Sequence, residues 1–444
     1  MHRRAFLNRT SAAAAGLVIL PSGALAGATA PSNRLNLAII GAYGRAYRLY
    51  DIIANHNVAA VCDIREDHIA KALERFPGAK TYVDWRKCLN QRDLDAVIIF
   101  TTDQTHAMIA NWAMNRGLHV YCEKPIAISV GEARALREKF RVNRGRIATQ
   151  AGTQLNTNAN FNRVREMIHD GAIGDLQEVR AWGTRQIPRD GYLPAKGSPP
   201  AGLHYDLWLG PAPDHPYNPG YFSAERPGSN CLNWNMFWDF GAGQAGDMGS
   251  HTMDLAWKVI DATLPTRITA RGEAFNPEVT PVELEAHFHH PANDWRDEIR
   301  VSWYQGGAMP RSPRPYIDLS KVYHGCMFRG SRGFLIADFD TRTLIPFGDD
   351  ADMTHYTPRP ESQITPPERN IMLQWFDACK DPTLATNCNF EYGSHMIEQQ
   401  LLGLVAYRAG GDIEYDPAAG RVTNNDEANA LIHRQYREGW VLDG

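Results

Sequence analysis

The sequence predicts an α/β protein of two domains, in which a doubly wound parallel sheet is followed by an α+β domain with a mostly antiparallel sheet. Three observations predict it. Short, nearly all-apolar runs alternate with amphipathic stretches from Leu35 to about Ala151. From Phe161 onward the texture changes to longer runs of β type, broken by loops rich in Pro, Gly and aromatic residues. A chain of 444 residues, 43% hydrophobic and 22% charged, is long enough to bury two cores.

In the first region LNLAII, VAAVCD, AKTYV, LDAVIIF, LHVYC and RIATQA are strands, separated by amphipathic segments such as DHIAKALERF and THAMIANWAMNRG. Strands apolar at nearly every position are buried on both faces, as in a parallel sheet covered by helices. In the second region LQEVRAWGT, RITARGEAF, EAHFHH and EIRVSWYQ read as strands. NIMLQWFDACK and EYGSHMIEQQLLGLVAYRAG read as late helices that pack back on these layers. The expected boundaries are 1–26 for a leader, 34–155 for the first domain and 156–444 for the second, whose final helical segment returns to the first.

The leader rests on Arg3 and Arg4 ahead of the apolar run Ser11 to Leu20, followed by Ala24 to Ala26 as a small-residue cleavage site. Ten apolar residues fall short of the roughly 20 that span a bilayer. The segment is therefore expected to be removed near Gly27, leaving no stable membrane anchor. The twin arginine with Phe6 and Leu7 resembles a Tat signal, which implies a periplasmic or secreted protein exported already folded. A net charge of −4, from 46 basic and 50 acidic residues without long blocks, offers neither a nucleic-acid groove nor a polybasic anchor. Seven cysteines contain no C-x-x-C pair and read as buried fillers.

The run LNLAII enters GAYGRA, where Gly41 stands for the bend of a dinucleotide-binding turn and Ala46 for the close helix-strand contact. Tyr43 occupies the place of the middle glycine, with Gly44 next and Arg45 able to set a guanidinium beside phosphates. Asp63, 22 residues beyond Gly41, is the acid expected to bond the adenosine ribose. Its carboxylate favours NAD over NADP, while Arg65 leaves NADP open. The competing reading is a sheet that kept its shape and lost its nucleotide.

At the end of a later strand LHVYCEKPIAI places Glu123, Lys124 and Pro125 at the carboxyl edge of the sheet, where such sheets bind ligands. Here the chain resembles the Gfo/Idh/MocA family over nearly the whole mature length. The resemblance implies a Rossmann domain, a lysine of the E-K-P strand end contacting substrate and nicotinamide, and Thr102, Asp103 and His106 facing the cofactor. Thr102 departs from that pattern, since proline is usual there. MFWDFGAGQAGDMGSHTMDLAWKVI resembles the second-domain signature, in which Asp247 and His251 bracket the substrate. The closing residues are similar to the exported, sugar-acting branch, and a homo-oligomer is expected.

Independently of the resemblance, i and i+4 share a helix face, so Asp247 is placed to orient His251 and favour its protonated form. A plain helix cap is the other reading of Asp247. Asp247, His251 and Asp254, or the histidines His287 to His290, offer ligand atoms, but no third ligand of firm spacing appears and no metal is assigned. Gln154, Asn156 and Asn158 supply the donors and acceptors that sugar hydroxyls need, and Trp234, Phe237 and Trp238 could stack on a pyranose.

The expected chemistry is hydride transfer from a sugar carbon to a tightly retained nicotinamide cofactor. His251 takes the hydroxyl proton, Asp247 orients His251, and Lys124 stabilises developing charge or relays the proton. Two alternatives stay open: redox-neutral glycoside cleavage through transient sugar oxidation, and sugar binding without catalysis.

Overall fold

The computed structural model describes residues 33–224, 226–313, 317–348 and 352–444. The leader expected at 1–26 lies outside them. Six parallel strands form the first sheet: β1 (Asn36–Ile40), β2 (Asn57–Cys62), β3 (Lys80–Tyr82), β4 (Ala96–Ile99), β5 (His119–Cys122) and β6 (Thr149–Ala151). Their order, β3-β2-β1-β4-β5-β6, is that of a doubly wound dinucleotide fold. Ile39, Val97, Ile98 and Val120 are fully buried because helices cover both faces. Those helices include Glu66–Arg75, Asp103–Asn115 and Val130–Val142. The single helix expected after the first turn is instead a 3-10 turn, Ala46–Leu49, running into a short helix, Tyr50–Ile53.

The second sheet has nine strands: β7 (Leu176–Gly183), β8 (Arg267–Gly272), β9 (Leu284–His290), β10 (Ile299–Gln305), β11 (His324–Gly330), β12 (Gly333–Ala337), β13 (Arg342–Pro346), β14 (Ile413–Asp416) and β15 (Arg421–Val422). Their order is β13-β12-β11-β7-β10-β9-β8-β14-β15, and every neighbouring pair but β7 and β10 is antiparallel. Alternation decides the faces. Leu284, Ala286, Phe288 and His290 of β9 are buried, whereas Glu285, His287 and His289 are only half-buried. Helices Gly249–Val259 and Phe390–Arg408 cover the buried face.

Helix Phe390–Arg408 also packs along helix Val130–Val142 of the first domain. Glu398, fully buried, pairs there with Arg137 and with Arg134. The last residues return as well, with Asn111 and Trp112 donating to the carbonyls of Leu442 and Val441. Among the described residues no helix is long and apolar enough to cross a membrane, and all seven cysteines are free thiols.

Candidate functional site

The carboxyl ends of β1, β2, β4 and β5 open into one cleft of about 710 Å³, walled on the other side by the second domain. That size lies within the range of small-ligand clefts. Gly41 turns the chain at φ +82°, and a Cβ added there would lie 2.5 Å from the Phe100 carbonyl oxygen, so only glycine fits. Gly44 also has positive φ, at +68°. Tyr43 does not fill the turn: its ring lies 5.3 Å from that of Tyr47 and 5.1 Å from His68, with Lys71 4.7 Å over its face. The Asp63 carboxylate accepts from Ala42 N–H at 3.0 Å and from Arg65 N–H at 3.0 Å, tying the end of β2 to the turn after β1.

A strap from the second domain crosses this turn. Gly228 packs so closely on it that a Cβ there would lie 3.2 Å from Arg45 N, and Arg48 donates to the Pro227 carbonyl at 3.1 Å. Residues 202–204 dock beside it, where Glu66 N–H bonds the Gly202 carbonyl and His204 N–H the Ile64 carbonyl.

Deeper in the cleft, Arg45 Nε donates to Glu123 at 2.9 Å and reaches Gln154 at 3.4 Å. Lys124, followed by a cis proline, hydrogen-bonds Asp247, the last residue of helix Gly243–Asp247. Arg185, just beyond β7, donates from its terminal NH1 to the other Asp247 oxygen at 2.7 Å. Burial pushes the Asp247 carboxyl upward, but Lys124 and Arg185 outweigh it and hold it below its usual value. Burial likewise opposes the Lys124 ammonium, and Asp247 more than restores it.

The pairing expected between Asp247 and His251 is therefore replaced. Both Asp247 oxygens are engaged by cations, and His251 Nδ1 is buried without a hydrogen-bond partner. Burial, then the Lys124 charge, lowers His251 to about 3 against a pull from Asp247 in the other direction, so the imidazole is neutral and not protonated. His324, at the start of β11, is lowered to about 4 by burial and then by Arg185, and its Nδ1 is also unpartnered. The Phe339 ring stands near both imidazoles, 6.3 Å from His251 and 5.9 Å from His324.

The cleft brings together Gly41, Tyr43, Gly44, Arg45, Asp63, Thr102, Asp103, His106, Glu123, Lys124, Gln154, Asp247 and His251. His106 is a buried bracket, its ring nitrogens 2.8 Å from the Pro125 carbonyl and 3.1 Å from that of Thr101. Burial, and then Asp247 and Glu123, hold the Asp103 carboxyl well above its usual value. Four expected substrate residues, Asn156, Asn158, Phe237 and Trp238, lie outside the lining: Asn158 caps helix Ala159–His169 and Phe237 is buried in an aromatic core. Asn156 spends its amide on Asp254 and Tyr392. Trp238 donates to the Asn276 carbonyl at 3.0 Å beneath the Arg408 guanidinium. Arg185, His324 and the strap were not legible in the sequence, because no local motif marks them. Among the described residues no group of three or more His, Cys, Asp or Glu side chains is gathered to hold a metal ion.

Residues 35–150 match the model of an oxidoreductase family with an NAD-binding Rossmann fold, and residues 190–282 match the C-terminal alpha/beta domain of that oxidoreductase family. The two matched stretches lie one in each domain, and both models are those of the Gfo/Idh/MocA oxidoreductases. An inositol 2-dehydrogenase of Salmonella paratyphi B is 30% identical over 128 residues, 29% of this chain and 38% of that protein. Glycosyl hydrolase family 109 protein 1 of Shewanella sp. strain ANA-3 is 28% identical over 209 residues, 40% of this chain and 44% of that protein. The chain thus spans less than half the length of these two curated relatives. The WlbA dehydrogenase of Bordetella pertussis, solved with NADH and UDP-GlcNAcA, shares the fold at a TM-score of 0.60 and 14% identity, covering 86% of this chain and 98% of that one.

The residues present fit the NAD of the matched Rossmann fold. The glycine cradle at Gly41 and Gly44, Arg45 beside it and Asp63 at the end of β2 are the donor and acceptor set that a pyrophosphate and a ribose require.

Proposed function

We propose that this protein is an exported NAD-dependent oxidoreductase acting on a CH–OH group of a sugar or sugar derivative, with its cofactor tightly retained. The observation that carries the reading is the juxtaposition, in one cleft, of the Gly41–Gly44 turn with Lys124, Asp247 and His251. Bound NAD would supply the hydride acceptor. Gly41, Gly44, Arg45 and Asp63 would hold it. Lys124, fixed and kept charged by Asp247, stabilises negative charge developing on the substrate oxygen. His251, kept neutral, is able to accept the hydroxyl proton at a ring nitrogen. Arg185 holds the second Asp247 oxygen, so the carboxylate stays where Lys124 needs it.

Export rests on the twin-arginine leader, and retention on the strap across the dinucleotide turn. Protein purified from its native compartment is expected to release nicotinamide nucleotide on denaturation at near one per chain, by mass analysis. Repeated empty preparations whose melting temperature does not rise with added NAD would defeat the reading.

A second reading, redox-neutral glycoside cleavage, is favoured by the likeness to the family 109 glycosyl hydrolase. It is distinguished by deuterium entering a ring carbon of an unoxidised sugar product in deuterated water.

A further inference from the structure

We propose that the substrate bears a carboxylate and that Arg185 is the residue that selects it. This rests on reading the cleft as a sugar site and narrows the substrate to acidic sugars, uronates or aldonates.

The first support is charge balance. Two cations, Lys124 and Arg185, share the single carboxylate of Asp247. The neighbouring Arg45 and Glu123 cancel one another. Burial lowers His251 to about 3 and His324 to about 4, and it pushes the Asp103 carboxyl upward against the pull of Lys124. Within this group two cations face one carboxylate, and the side chains of Lys124, Arg185 and Asp247 are only 18%, 27% and 10% exposed. Shielded charge without a counter-charge is unfavourable, and a bound anion resolves it.

The second support is hydrogen-bonding capacity. A guanidinium carries five N–H donors in a rigid fork. Arg185 commits one terminal nitrogen to Asp247 and is a lining residue of the cleft. A planar fork anchored on one side is a preformed partner for a carboxylate, which it meets with two parallel hydrogen bonds. The dinucleotide phosphates do not compete for it, because they belong at the Gly41–Gly44 turn beside Arg45 and Arg48, whereas Arg185 stands with Lys124 and Asp247.

Matched ligands test this without altering the protein. Glucuronate, glucuronamide and glucose differ only at C6, and galacturonate, galacturonamide and galactose form a second set. Binding to the full mature chain in the presence of NAD is measured by calorimetry. At least one acid is expected to bind about 10-fold or more tighter than its amide, the scale of a charge-assisted hydrogen bond, with the preference shrinking as salt rises. Arg185→Gln should bring acid and amide to near equality, and Arg185→Lys should keep part of the difference. Equal binding of acid and amide in the unaltered protein, or no binding by any acid, overturns the proposal. An acid preference undiminished in a folded Arg185→Gln variant overturns the assignment to Arg185. Absence of nucleotide uptake in the same samples counts against the redox reading, not against carboxylate recognition.

Discussion

Replacing Asp247 by Asn keeps the shape of the side chain and removes the charge on which the deepest part of the cleft depends. In the native protein Lys124 and Arg185 converge on that carboxylate, with Arg185 at 2.7 Å, and all three side chains are largely shielded. Removing one partner of a buried pair costs about 3 to 5 kcal/mol, because the remaining charge is stranded; here two cations are stranded and repel one another. In a domain of this size each kcal/mol moves the melting temperature by about 2 to 4 °C, so Asp247→Asn should melt about 10 °C or more below the native protein at pH 7. The pH dependence identifies the cause. In the native protein the raised Lys124 value gives stability that is complete below the ordinary lysine range and is lost as pH climbs through the raised value. In the variant burial acts on Lys124 against only the weaker pull of Cys231 and Glu123 and depresses it, so stability rises with pH between the depressed and the ordinary value. The gap between the two proteins should therefore narrow from pH 7 to pH 10, measured by urea denaturation across that range. A variant within about 0.5 kcal/mol of the native protein, as for an ordinary surface change, or a gap that does not move with pH, would refute the ion-network account.

Gly41→Ala should abolish nucleotide uptake and cost at least about 1 to 3 kcal/mol of backbone strain, since the turn needs φ +82° and the Phe100 carbonyl leaves no room for a Cβ; nucleotide titration and urea melts check both. His251→Ala should lower turnover by about 100-fold or more while bound nucleotide, read by absorbance, stays the same. The histidines lowered to about 3 (His251) or about 4 (His56, His290, His324 and His395) stay neutral in the fold and take up protons on unfolding. Stability should fall as pH drops from about 6.5 toward 4, by up to about 1.4 kcal/mol per pH unit for each histidine, and a urea midpoint flat between pH 7 and 5 would mean that these rings are charged in the folded state.

The first domain was legible because its determinants are local. β1 to β6 are short apolar runs flanked by polar breakers, and the turn after β1 announces itself through Gly41 and Gly44. Even there the helix after the turn came out broken, as a 3-10 turn running into a single helical turn at Tyr50–Ile53, with Tyr50 donating to the Ala42 carbonyl. Much of the second sheet was not legible. β11, β12 and β13 carry glycine, arginine and threonine at positions where a periodicity of two should show, and their strand character comes from partners far away. Cys326 of β11, for example, pairs with Ala181 of β7 on one side and Ala337 of β12 on the other.

The candidate site shows the same division between what spacing places and what charge selects. Helical periodicity predicts a shared face for Asp247 and His251, whereas Asp247 ends one helix and His251 lies in the next, and spacing says nothing of what else competes for the carboxylate. Lys124 lies 123 residues away in the chain and Arg185 lies 62 away. In a low-dielectric cleft a full positive charge attracts a carboxylate more strongly than a neutral imidazole does, so the two cations take both oxygens and His251 is left neutral. The strength of His251 as a base is then set by its burial first and by Lys124 second, with Asp247 opposing and Arg45 and His324 acting in the same sense as Lys124. An anionic group brought in by a substrate at Arg185 would offset part of that positive potential and raise the proton affinity of His251 once the substrate is in place. On this account the surplus charge does two things: it draws an acidic sugar into the cleft, and it withholds basicity from His251 until that sugar has arrived.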